Sequence, residues 1–80
     1  MERKDILEKL NEIFCEVLDV ENLVLTEDMS ADDIEEWDSL ANIQLVVAIE
    51  KAFKVKISSI EIRGWENVGD MTDALLKKLS

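Results

Sequence analysis

Residues 38–53 read DSLANIQLVVAIEKAF, and the rest of the chain is organised around this stretch. Leu40, Ile43, Val46, Val47, Ile49 and Phe53 recur at the helical period, and Leu45 widens the stripe. Beyond Ser39, the polar residues are Asn42, Gln44, Glu50 and Lys51. A helix is predicted from Ser39 to Phe53. Being apolar around more than half its circumference, it is expected to be the central one. Asp38 stands just ahead of the periodic run, where a carboxylate can accept from the free N–H groups of the first turn.

Upstream, Ile6, Leu7, Leu10, Ile13, Phe14, Val17 and Leu18 form one apolar stripe, predicting a helix from about Arg3 to Asp19. Asp5 lies four residues ahead of Lys9, an acid-then-base pair that supports a helix. Cys15 lies beside the stripe and reads as a packing residue. Between the two helices, Val20 to Asp38 has no period. A connection of nineteen residues is long for a compact domain and is expected to be functional or packed by its own side chains. Leu23 and Leu25 are candidates to pin it. Ser30 and Asp33 suggest a short helical turn near Asp32–Glu36.

Downstream, Lys54 to Ile57 alternates and reads as extended. Ser58 and Glu61 have capping-box spacing ahead of a short helix, Ser59–Arg63, ended by Gly64. A last helix is predicted from Val68 to Leu79, capped by Asn67, with Lys77 and Lys78 in the final turn. The expected fold is all-α: one domain over residues 1–80, a four-helix bundle of three main helices and one short third helix.

Composition removes several functions. The chain has 80 residues, no proline, no histidine and one cysteine. An internal disulfide and a zinc site built on histidine or paired cysteines are excluded. A nucleophile activated by histidine is excluded too. An enzyme is therefore not expected. The formal net charge of −10 repels nucleic acid and anionic lipid. No apolar run approaches the ~18 residues of a membrane span, and no secretory signal is visible near Met1, so a cytoplasmic setting is expected.

The charge is concentrated. Residues 27–38 carry seven acids (Glu27, Asp28, Asp32, Asp33, Glu35, Glu36 and Asp38) and no base. Three readings stand: a solvated loop, a docking surface for basic partners, or a metal-binding loop. EF-hand spacing fails because Asp33 occupies the position that needs glycine, so no metal is expected. Directly after these acids comes Ser39, a hydroxyl in the first turn of a helix, where free N–H groups and the dipole favour an anion. By itself Ser39 is also compatible with an ordinary helix start.

The Asp38-Ser39-Leu40 tripeptide followed by ANIQLVVAIEKAF resembles the acyl carrier proteins, and the resemblance covers nearly the whole chain. Asn67-Val68-Gly69-Asp70-Met71 is similar to that family's T-V-G-D-L at the start of its fourth helix. The resemblance implies that Ser39 receives 4′-phosphopantetheine from a phosphopantetheinyl transferase. The arm's thiol would then carry an acyl or aminoacyl group as a thioester. A loading ligase and acyltransferases would act on it, and the domain itself would catalyse nothing. Asp38 and Leu40 would help the transferase recognise the site. Glu35, Glu36, Trp37, Ile43, Gln44 and Glu50 would form the neighbourhood that partners meet, on a monomer.

The chain also departs from the family's commonest pattern. Ala41 and Gln44 stand where acids are frequent, and Glu50 is offset by Lys51. With Trp37 ahead of Asp38-Ser39, the pattern looks closer to stand-alone carriers of specialised pathways, such as D-alanyl carrier proteins, than to fatty-acid-synthesis carriers. Trp37 reads either as a partner anchor or as a residue packed under the loop. Val47, Ile60, Ile62 and Val68 read either as core or as the lining of an acyl-sheltering cleft. The alternative function is an acidic helical interaction module that carries no arm.

Overall fold

Helices α1 (Arg3–Leu18), α2 (Ser39–Phe53), α3 (Ser59–Arg63) and α4 (Val68–Leu79) make up the computed structural model, which describes residues 2–79. Each boundary has a local cause. Asp5 accepts from the Glu2 N–H (3.2 Å) at the start of α1. Asp38 accepts from the Ala41 N–H (2.7 Å) at the start of α2. Ser58 and Glu61 exchange both bonds of a capping box at α3. Asn67 accepts from the Asp70 N–H at α4. Helices α1 and α2 end without glycine. Asp19 and Lys54 take the left-handed conformation instead, and the N–H groups of Val20 and Val55 reach back to Cys15 and Glu50.

The core is one cluster. Ile6, Leu10, Phe14, Leu45, Ile49, Val68, Met71 and Leu75 are fully shielded from solvent. Helix α1 packs on both α2 and α4, so α1 occupies the middle position that the sequence pattern assigns to α2. The reason is visible on α2. Leu40, Ile43 and Val47, at i, i+3 and i+7, face outward, with Leu40 68% and Ile43 63% exposed. An apolar stripe that looks like core is surface.

The long connection is folded by its own side chains. Leu25 and Ile34 are buried in the core cluster, and the Leu25 N–H donates to Asn11 Oδ1 (2.7 Å). The expected helical turn near Asp32–Glu36 is a pair of successive turns, closed by Asp33 N–H to the Ser30 carbonyl and Trp37 N–H to the Ile34 carbonyl. Glu27 pairs with Arg3, Asp28 accepts from the Thr26 hydroxyl, and Asp33 accepts from the Ser30 N–H. With Asp38, four of the seven loop acids therefore hold the chain in place. On α1, Lys9 pairs with Glu12 rather than with Asp5, whose carboxylate serves the helix start.

The loop is stitched to α4. The Val68 N–H donates to the Met29 carbonyl (2.8 Å), and the Gly69 N–H to the Glu27 carbonyl (2.7 Å). Gly69 permits that approach: a Cβ there would sit 3.0 Å from the Glu27 carbonyl oxygen. Arg3 completes the stitch by pairing with both Glu27 and Asp73. Helix α3 is held differently. None of its residues is buried. Lys78 pairs with Glu61 (2.7 Å), and Glu50 accepts from the Ile57 N–H ahead of it.

These pairs set the acid response. Arg3 holds the Glu27 carboxyl below the usual carboxylate range, and Lys78 does the same for Glu61. A lowered folded-state pKa contributes stability that is present above the unfolded value and lost as pH falls through the folded one. The unfolding midpoint is therefore expected to be flat above about pH 5 and to fall below about pH 4. Replacing Arg3 with methionine should flatten part of that fall, measured by urea denaturation across pH.

Candidate functional site

Ser39 is the first residue of α2, and its side chain is exposed. Asp38 fills the cap position beside it in an extended conformation. That leaves the Ser39 hydroxyl outside the helix's own bonding, close to first-turn N–H groups that have no intrahelical acceptor. Replacing Asp38 with alanine is expected to cost about 1 kcal/mol of stability through the lost cap, read from the denaturation midpoint. The serine should remain in place, because the rest of α2 is packed.

A surface groove of about 440 Å³ begins at Ser39. One side is the loop at Ala31 and Asp32. The other is formed by Ile62, Trp65 and Asn67, in and after α3. Trp37, Asn42 and Met71 also line it. The structure brings Asp38, Ser39 and Leu40 together at the mouth, with Glu35 and Glu36 exposed in the preceding turn. Ile43 extends this surface along α2.

Of the other three candidates, Trp37 lines the groove with its largely buried side chain, while Gln44 and Glu50 lie elsewhere. Trp37 is 9% exposed and turned inward. Its ring meets Phe14 edge-on (centroids 4.9 Å apart, 89°), and its Nε1–H donates to Asn42 Oδ1 at 3.1 Å. It is a packed residue under the loop and not an exposed anchor, held by Phe14 and Asn42. Gln44 lies on the α1 side of α2, beside Lys9, Glu12 and Ala48. Glu50 is half-buried and spends its carboxylate on the Ile57 N–H (2.9 Å). The four candidate lining residues also divide. Val68 is core, Val47 and Ile60 are exposed, and Ile62 alone lines the groove beside Ser39.

Asn42, Trp65 and Asn67 line this site and were not readable as site residues. The available signals were slight: a lone amide one helical turn after the Asp38 cap, and a large aromatic in the short connection between α3 and α4.

Residues 8–75 match the family model of the phosphopantetheine attachment site. An acyl carrier protein of Caulobacter vibrioides is 35% identical over 74 residues, covering 92% of this chain and 95% of that one. The chain belongs to the acyl carrier protein family. A second relative, the acyl carrier protein of Thermotoga maritima, is 32% identical over 77 residues, covering 96% of this chain and 95% of its own. Among solved structures, the holo acyl carrier protein of Geobacter metallireducens superposes with a TM-score of 0.88 at 42% identity, covering 92% of this chain and 85% of that one. The all-α, four-helix architecture is that of the family. The carrier tethers acyl groups on covalent 4′-phosphopantetheine and is not itself an enzyme. Its role brings it to a phosphopantetheinyl transferase and to acyl-handling enzymes. Among the described residues, no helix is long and apolar enough to cross a membrane.

Proposed function

We propose that Ser39 is the attachment residue of this carrier. The supporting observation is the exposed Ser39 hydroxyl at the capped start of α2, with an open groove beginning beside it. The residues suit the prosthetic group. A phosphodiester on Ser39 Oγ would lie against the first-turn N–H groups and the positive end of the α2 dipole. In the transfer, Ser39 Oγ forms the new bond to phosphorus and gives up its proton. The adenosine bisphosphate half of coenzyme A leaves. Asp38 holds the helix start that presents the serine, and Leu40, 68% exposed, offers the transferase an apolar contact.

Partner recognition, in this reading, uses Leu40 and Ile43 with Glu35 and Glu36. An apolar strip beside a dense negative field suits a partner with an apolar depression rimmed by lysine and arginine. Long-range steering of this kind speeds encounter and lets partners exchange. The nearly neutral face of α2 favours a specialised ligase-loaded role, and a monomer in the cytoplasm is the expected form. The test is incubation of folded protein with coenzyme A, magnesium and a promiscuous transferase. A mass gain mapped to the Ser39 peptide is expected. No adduct on a folded sample without an arm would return the weight to a non-carrier interaction module.

A further inference from the structure

We infer that the cargo of this carrier is a short acyl group held outside the helical core, in the groove beside Ser39, with Trp37 and Asn42 setting that limit. The inference rests on the carrier reading above and adds the class of substrate.

A long alkyl chain is sheltered only where apolar volume can be vacated next to its attachment point. Here the interior nearest Ser39 is taken. Trp37, two residues before it, packs its indole into the core against Phe14. Asn42, less than one turn after Ser39, holds the ring by accepting from Nε1–H at 3.1 Å. An alkyl chain entering here would have to displace the indole from close packing and break that bond, leaving a polar group to be re-satisfied.

The groove outside offers different chemistry. It is open to solvent, and its apolar lining is Ile62, Trp65, Met71 and the edge of Trp37 that core packing leaves uncovered. The Asn42 side-chain oxygen is engaged by Trp37, and the Asn67 oxygen by the Asp70 N–H (2.9 Å). Each amide therefore has its NH₂ donors left to offer. Donors of this kind suit carbonyl oxygens, as in a thioester and in amides, and give nothing to a bare methylene run. A small acyl group whose carbonyl is within reach of these amides fits. A fatty chain gains little.

The test is a chain-length series. A promiscuous transferase loads acetyl-, octanoyl- and palmitoyl-phosphopantetheine from the corresponding acyl coenzyme A, and intact mass verifies each product. Melting temperature and the rate of hydroxylamine cleavage of the thioester are then measured. The expected result is a melting temperature constant to about 2 °C across the series, with all three thioesters cleaved at the same rate. Burying even a few methylenes would raise it by more than about 5 °C.

Trp37→Leu keeps the site apolar but smaller. In that variant the octanoyl form should melt higher than the acetyl form and resist hydroxylamine. A wild-type protein that loads normally, yet melts higher and is more protected as the chain lengthens, overturns this inference alone. A flat series in Trp37→Leu overturns the role given to Trp37. Failure to load any arm overturns the carrier reading and this inference with it.

Discussion

Replacing Trp37 with alanine is expected to lower the unfolding free energy by about 3–5 kcal/mol. The indole is 9% exposed and belongs to the single core cluster. Its removal forfeits the transfer free energy of a large side chain and leaves a cavity that neighbours only partly fill. It also deletes the edge-on contact with Phe14, worth about 0.5–1.5 kcal/mol beyond buried area. A domain of this length holds roughly 4–12 kcal/mol in total, so the loss is a large fraction of its stability. Urea denaturation against the wild type measures this. A loss under about 1 kcal/mol, in the range of ordinary surface changes, would mean that the indole faces outward and is available to partners.

The second large effect is chemical. Ser39→Ala is expected to fold like the wild type and to accept no phosphopantetheine. The serine side chain is exposed, and the cap of α2 is made by Asp38, so alanine at the first helical position removes nothing that holds the helix. The hydroxyl oxygen is the atom that would bond to phosphorus, and alanine has no substitute for it. Stability and loading should separate cleanly: an unchanged denaturation midpoint and abolished adduct formation.

All four helices were legible because local signals agree with one another at each. The helical period runs through Ile6–Leu18 and Leu40–Phe53, and Asp38, Ser58 and Asn67 each cap where their spacing indicates. What escaped was decided by contacts distant in sequence. The exposed Leu40, Ile43 and Val47 give α2 the pattern of a fully buried helix, and periodicity cannot distinguish an apolar surface from an apolar core. Trp37 was open to two readings because its direction depends on Phe14, twenty-three residues away, and on Asn42. The Arg3 bridge from Glu27 to Asp73 joins three elements and leaves no local trace. At the site, the helix start drew notice to Ser39, and the resemblance carried by Asp38-Ser39-Leu40 gave all three residues their expected roles. The Trp65 and Asn67 wall belongs to a connection that only the packing of α3 and α4 brings near Ser39.

Attachment at Ser39 is tested most directly by intact-protein mass for wild type and Ser39→Ala, before and after incubation with coenzyme A, magnesium and a promiscuous transferase, with peptide mapping of any adduct. Wild type is expected to gain one phosphopantetheine, located at Ser39, and the variant none. An arm on the Ser39→Ala protein, or none on a folded wild type that began without one, would contradict attachment at Ser39.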